Sequence, residues 1–174
     1  MFDEFLSFFG EGPLPGGGPE TAEAFVGSLG GRAFGGGLMF AIAAGDLPMW
    51  RGNVRAAYGG RAGGLSPFAY DWLGDCLAEG DGGVRILELG TGEVLATGMP
   101  VASFLAEEVP GAHDQCLFSP FWRDWLASGG ARPSYGRCVG YRVPSSSGAG
   151  TISPTWSPPT WTCTGRWWAR RSRG

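Results

Sequence analysis

Residues 66–97 read SPFAYDWLGDCLAEGDGGVRILELGTGEVLAT, and this stretch decides the fold class. Phe68–Leu73, Asp75–Glu79 and Val84–Leu89 are short runs of strand length, each bounded by glycine. The third ends in Gly90-Thr91-Gly92-Glu93, and Val94–Thr97 follows. That is a hairpin signal, with glycine where a tight turn needs positive φ. Short strands joined by tight turns predict an antiparallel meander.

Helical patterns lie on both sides of it. Upstream, Phe2, Phe5, Leu6 and Phe9 fall at helical spacing within residues 1–10. Gly10–Pro19 reads as a loop. Glu20–Leu29 reads as a second helix, with acids in its first turn facing the positive end of the dipole. Gly30–Gly37 is a connector and Leu38–Ile42 a short strand. Asp46 is placed to cap a helix running to Tyr58, with Pro48 in the first turn where a missing N–H costs little.

Downstream, Val101–Val109 reads as a helix and Gln115–Ala127 as another, with Asp114 as its N-cap. Leu117, Phe118, Phe121, Trp122, Trp125 and Leu126 form the apolar face of the latter. Gly129–Gly130 ends it, and Arg137–Val143 returns as a strand. The expected class is α+β: a short antiparallel meander packed against helices. Residues 1–34 form a helical, Gly-rich N-terminal region, 35–144 the α+β domain and 145–174 an irregular tail. Phe68 to Val143 is the expected core, with Trp72, Phe121 and Trp125 buried.

Composition narrows function. The chain has 174 residues, 43 % of them hydrophobic, enough for a sizeable core, and 17 % charged. Its 33 glycines cluster at Gly16–Gly18, Gly35–Gly37 and Gly59–Gly64, which read as loops. Every basic residue except His113 is arginine, the mark of GC-rich codons. Residues 1–144 hold 9 Arg against 16 acids, a balance of −7, while residues 145–174 hold 4 Arg and no acid. An acidic body disfavours nucleic acid and favours a basic protein partner, although a modest negative charge also simply keeps a protein soluble. Cys76, Cys116, Cys138 and Cys163 form no C-x-x-C pair, so no zinc or redox motif is present. No signal-peptide pattern opens the chain, and no apolar run is long enough to span a bilayer. The expectation is a cytoplasmic protein with reduced thiols and no membrane or nucleic-acid partner.

Chemical motifs are sparse. A phosphate-binding loop of the G-x-x-x-x-G-K-[ST] type requires a lysine this chain lacks. His113 is the only histidine, in a Pro-Gly-Ala-His-Asp segment, where it reads as a surface residue beside a helix cap. Glu107-Glu108 and Asp3-Glu4 are adjacent in sequence and point to different helix faces, so neither is a preorganised acid/base couple. Trp50, Trp72, Trp122 and Trp125 sit among apolar neighbours and read as core. No catalytic, cofactor-binding or metal-binding set is expected.

Phe68-Ala69-Tyr70-Asp71-Trp72-Leu73-Gly74, Gly90-Thr91-Gly92-Glu93-Val94-Leu95, the Phe121–Leu126 helix and Cys138-Val139-Gly140-Tyr141-Arg142-Val143-Pro144 together resemble the C-terminal domain of the immunity family that neutralises DNase effectors of bacterial type VI secretion. Members often carry a GAD-like N-terminal region, and the pattern is similar to the SUKH superfamily of toxin-immunity proteins. The resemblance covers roughly Phe34 to Pro144. The family usually continues its Asp-Trp-Leu-Gly with a basic residue and an aromatic-aliphatic-Asp strand, whereas Asp75-Cys76-Leu77-Ala78-Glu79 stands here. The resemblance implies a SUKH-like fold without a catalytic site, acting by binding a cognate protein toxin. Its motif residues here, structural or interfacial, are Asp71, Trp72, Gly74, Gly92, Glu93, Trp125, Cys138, Gly140 and Tyr141. The rival readings are a SUKH-type module for another partner and an uncharacterised enzyme.

The tail departs from that family, which continues Val-Pro with LFLGG, then NLE, then a motif like DVYW. Reading each codon's third base with the next codon's first two makes those motifs available. The Pro144-Ser145 junction onward allows LFLGG, and Pro154-Thr155-Trp156-Ser157 allows NLE. Trp161-Thr162 can encode only Asp, and the next three junctions allow Val, Tyr and Trp. Residues 145–174 therefore read as a shifted frame, expected to be irregular and to expose several of Trp156, Trp161, Trp167 and Trp168.

Overall fold

The structure is a computed structural model. It describes residues 2–14 and 18–139, with Phe2 by its backbone, and the backbone of Thr160–Thr162. The meander is present: a six-stranded antiparallel sheet whose spatial order is the chain order. Its strands are β1 (Ala33–Phe34), β2 (Met39–Ala41), β3 (Ser66–Asp71), β4 (Cys76–Gly80), β5 (Gly83–Leu87) and β6 (Val94–Ala96). Helices α1 (Phe2–Phe8), α2 (Ala22–Leu29), α3 (Leu47–Tyr58), α4 (Val101–Ser103), α5 (Val109–Cys116) and α6 (Ser119–Ala127) pack around it. A π turn at Phe104–Glu108 joins α4 to α5. The fold class is the α+β sheet-and-helix arrangement expected.

Both faces of the sheet are covered, and strand alternation decides which side chain goes where. Met39, Ala41, Ala69, Leu77 and Ile86 face one layer, with Phe5 and Leu6 of α1, Phe25 and Leu29 of α2, Leu105, Val109 and the α6 tryptophans. Phe40, Ile42, Tyr70, Cys76, Ala78 and Leu87 face the other, against Trp50, Val54 and Tyr58 of α3. The four-residue spacing of those three α3 side chains puts them on one stripe. Trp50 stacks on Tyr70 at 4.7 Å, and Tyr70 on Phe40 at 4.9 Å. Paired residues keep to one side: Ala41 opposite Ala69 and Ala69 opposite Leu77, then Phe40 opposite Tyr70 and Tyr70 opposite Cys76. A bulge between Pro67 and Ala69 inserts Phe68 as an extra residue, so Phe68 and Ala69 both serve the first layer.

Helices α1 and α2 share that first layer with the sheet and with α6. Phe5 is fully buried against Phe25 and Phe34, with ring centroids 6.0 and 5.0 Å apart. Burial of each such side chain contributes about 2 kcal/mol, so α1 and α2 help complete the core. Thr21 caps α2 by accepting the Ala24 N–H.

Four local expectations are corrected. Asp46 occupies the N-cap position of α3 but makes no side-chain cap bond. Its carboxylate instead accepts the Tyr135 hydroxyl at 2.7 Å. The helix expected over Gln115–Ala127 is broken: α5 ends at Cys116, Phe118 takes a left-handed backbone at φ 50°, and α6 starts at Ser119. Pro120 is the cause, because inside a continuous helix it would remove a backbone hydrogen bond, whereas in a first turn it removes none. Asp114 is consequently not an N-cap; it lies inside α5. The new start also rotates the apolar stripe. Ser119, Trp122 and Trp125 turn inward, and Phe121, expected to be buried, is 41 % exposed. Trp72 and Trp125 are buried as expected.

The C-terminal strand β7 (Arg137–Val139) pairs with β8 (Thr160–Thr162), with Cys138 opposite Trp161. This short regular element falls within the segment expected to be irregular. The remainder of that segment, including Trp156, Trp167 and Trp168, lies outside the described residues, as does the Trp161 side chain.

Candidate functional site

Three segments distant in sequence meet at the connection from β3 to β4. Asp71 ends β3 and Asp75 precedes β4, and both carboxylates are almost wholly buried, at 1 % and 4 % exposure. Asp71 Oδ1 accepts the Leu73 and Asp75 N–H groups, each at 2.9 Å, which closes the turn. Asp75 Oδ1 accepts the Leu89 N–H at 2.6 Å, tying the turn to the end of β5. Gly74, at φ +90°, supplies the backbone conformation the turn needs, and a Cβ there would stand 3.1 Å from Cys138 Sγ. Val139 N–H donates to the Trp72 carbonyl at 2.7 Å, bringing in the third segment.

Trp72 carries the corner into the helical layer. Its indole N–H donates to the Leu117 carbonyl at 3.1 Å, at the break between α5 and α6, and its ring lies 5.3 Å from that of Trp122. Trp125 donates to the Ala131 carbonyl at 2.9 Å. The motif residues Asp71, Trp72, Gly74, Trp125 and Cys138 are therefore packing and turn-closing groups.

Gly92 and Glu93 sit apart, in the β5–β6 turn. Gly92 has φ +77°, and the Glu93 carbonyl accepts the Glu88 N–H at 3.0 Å. The Glu93 side chain is exposed. Gly140 and Tyr141 lie outside the described residues.

The corner is electrostatically unusual. Burial raises Asp71 well above the ordinary carboxyl range, and the nearby Asp75 charge adds to it, against the two backbone N–H groups that favour ionisation. Burial likewise pushes Asp75 up to about 7, opposed by the Leu89 N–H and reinforced by Glu88. Asp71 Oδ2 is buried with no hydrogen-bond partner among the described residues, as suits a carboxyl held neutral. Burial also raises the Cys76 thiol far above its usual value, so this cysteine behaves as an apolar side chain.

A second polar cluster, missed in the sequence, joins α5 to α6. The Ser119 hydroxyl donates to Asp114 Oδ1, and His113 Nδ1 lies 2.6 Å from Ser119 Oγ and 3.1 Å from Asp114 Oδ1. Arg123 Nη1 donates to Ser119 Oγ at 3.2 Å and to Asp114 at 3.4 Å. The Ser119 hydrogen bond holds Asp114 below the ordinary carboxylate range, with help from Arg123 and His113. His113, expected as a plain surface residue, is half-buried, with Phe8 against its ring at 5.0 Å.

A serine, a histidine and an aspartate in contact invite comparison with a nucleophile relay. Such a relay uses one imidazole nitrogen for the serine and the other for the aspartate. Here both oxygens face the same Nδ1, and Ser119 is almost fully buried. The cluster is built as a tie between two helices. The five-residue spacing from Asp114 to Ser119 across a Pro-started helix was the signal available for it.

Among the described residues, no group of three or more His, Cys, Asp and Glu side chains is arranged to hold a metal ion. No described helix is long and apolar enough to cross a membrane. Compared with known proteins, the chain matches no family model, no curated protein and no solved structure.

Proposed function

We propose that the protein is an immunity protein that binds and neutralises a cognate bacterial toxin, a nuclease of the type VI secretion class, without catalysing a reaction itself. The observation that carries this reading is the convergence of the resemblance motifs. Asp71-Trp72-Leu73-Gly74, Trp122 of the Phe121–Leu126 motif and Cys138-Val139 are far apart in sequence, yet they meet at one corner: Val139 N–H donates to the Trp72 carbonyl, the Gly74 backbone lies beside Cys138, and the Trp72 ring lies against Trp122. Motifs shared with a family through a common fold are expected to meet in this way. Their polar groups are spent inside the corner, which leaves partner recognition to the surface.

The charge of the body, −7 over residues 1–144, supports a basic protein as the partner. A nuclease handles a polyanion and presents a basic surface of that kind. The test is co-expression in bacteria with a type VI secretion DNase encoded beside this gene, and a neighbourhood without such a nuclease would itself count against the reading. The full chain is expected to restore growth and to co-purify with the nuclease. Survival without complex formation, or no protection at all, would refute the reading.

A further inference from the structure

The turn from β3 to β4 holds two buried carboxylates that no cation neutralises. Among the described residues, neither Asp71 nor Asp75 makes an ion pair. Asp71 Oδ1 and Asp75 Oδ1 accept backbone N–H groups alone, and Asp71 Oδ2 is buried without a hydrogen bond. The ionisable groups whose charges act on the pair are all acidic. They are Glu88 just past β5, the Cys76 thiol of β4, the Cys116 thiol at the end of α5 and the Cys138 thiol of β7. Each becomes negative on ionising, so none offsets a carboxylate charge. Two negative charges in one dry turn are costly, and ionisation therefore favours any arrangement that lets water in.

The connectivity shows which piece can move. β4 is laddered to β3 on one side and to β5 on the other, so the turn's own strands are held. β7 lies outside the six-stranded sheet, and among the described residues its strand partner is β8. Val139 N–H ties it to the turn through the Trp72 carbonyl, and just before it Gly136 N–H donates to the Tyr70 hydroxyl at 2.7 Å. Between those two bonds Cys138 is buried against Gly74, the residue that separates the acid pair's two halves of the turn. Cys138 also lies close enough to Asp71 for its charge to act there. β7 is thus a cover over the turn, fastened by few bonds.

We propose that this corner is a proton-operated latch: protonated carboxyls hold β7 down on the β3–β4 turn, and their ionisation as pH rises releases β7 while the six-stranded sheet stays folded. The protons go to solvent, no covalent bond changes, and acidification closes the latch again. Burial makes both carboxyls titrate above their ordinary range, Asp75 at about 7, so the latch works between mildly acidic and neutral conditions. By linkage, the opening constant rises about tenfold per pH unit for each carboxyl, between its ordinary value and its value in the closed corner.

The experiment is thiol labelling of the reduced full chain with a dithiodipyridine, a reagent that reacts under acidic conditions. Peptide mapping by mass reads Cys138 and Cys76 separately. Dividing each rate by that of the urea-unfolded chain at the same pH removes the thiol's own chemistry. The corrected Cys138 rate is expected to rise at least about tenfold per pH unit between about pH 5 and 7. It should exceed the Cys76 rate about 100-fold or more throughout, because Cys76 in the sheet waits for global unfolding. Asp75→Asn, whose amide oxygen can still accept the Leu89 N–H, is expected to show a shallower rise, with Asp71 alone remaining to titrate.

A Cys138 rate that does not change with pH in the parent would overturn the proposal, because β7 would then fray without reference to the acids. Equal rates at Cys138 and Cys76 would overturn it too, since the whole molecule would be opening. So would an unchanged slope in Asp75→Asn, which would assign the proton to another group.

Discussion

Replacing Asp75 by asparagine tests the buried corner directly. Burial pushes the Asp75 carboxyl from 3.8 up to about 7. In the unfolded chain it titrates near its ordinary value, so the folded state holds the proton more tightly. The contribution of this group to stability is therefore complete below about pH 4 and is lost as pH rises through about 7. A displacement of roughly three units, at 1.36 kcal/mol each, amounts to a loss of about 4 kcal/mol across that window. Asp71 shifts in the same direction and adds to it. Against a total stability of about 5–15 kcal/mol, the effect is large. In Asp75→Asn the amide oxygen can still accept the Leu89 N–H, and the titration is gone. Urea unfolding at about pH 4.5, 6 and 7.5 is the assay, with denaturant midpoints converted to free energies. The parent should lose stability steadily over that range, and the variant should follow a visibly shallower slope. Equal slopes in the two proteins would refute the claim that Asp75 carries the burial cost. A parent that gained stability from about pH 4.5 to 7.5 would contradict the sign.

Further expectations concern packing, backbone and reading frame. Trp72→Phe keeps a ring in the core but strands the Leu117 carbonyl, at a cost of about 1–3 kcal/mol in thermal or urea unfolding; no measurable loss would show that this hydrogen bond is not needed. Gly83→Ala forces a side chain onto the Met99 backbone, 2.7 Å from the carbonyl carbon at φ +108°, and should cost more than about 2 kcal/mol. By contrast Gly27→Ala, in α2 with nothing within 4 Å, should gain up to about 1 kcal/mol by helix propensity. The gene's nucleotide sequence should spell the family's Asp-Val-Tyr-Trp across the Trp161–Gly165 junctions in the shifted frame, and any other reading removes the frameshift explanation of the tail.

The elements legible in the sequence are those whose packing partner is set by their own periodicity. Trp50, Val54 and Tyr58 repeat every four residues, and α3 runs over them to Tyr58 as expected. The glycine-bounded runs from Phe68 to Val94 became β3 to β6 because each turn lies beside the strands it joins. The break at Leu117–Phe118 was hidden because apolar residues continue across it, and Pro120 fits either a helix start or a kinked interior. The Phe68 bulge was hidden because alternation cannot reveal one inserted residue when both faces are apolar.

The site was legible in its residues but not in its roles. Asp71, Trp72 and Gly74 stood out as a motif. Their burial, and the capture of Leu89 and Cys138 around them, depend on pairings between remote segments that local spacing does not encode. Asp75 reads in the sequence only as the start of a strand, because a carboxylate there ordinarily faces water, and here the corner folds over it. Asp46 found Tyr135, 89 residues away, in place of the cap it was positioned to make.

The order of closure bears on synthesis. Every strand of the six-stranded sheet is specified between Ala33 and Ala96, and neighbours in the sheet are neighbours along the chain. A nascent chain can therefore pair its strands as they emerge, without waiting for a distant partner. The α5–α6 segment arrives next and accepts the Trp72 indole N–H. Val139 comes last among these, and its N–H latches onto the Trp72 carbonyl. An altered codon beyond Val139 is translated only after those pieces have been made. The pairing of β8 with β7 therefore comes after every strand of the six-stranded sheet has been made, at the end of the order in which the described residues can assemble.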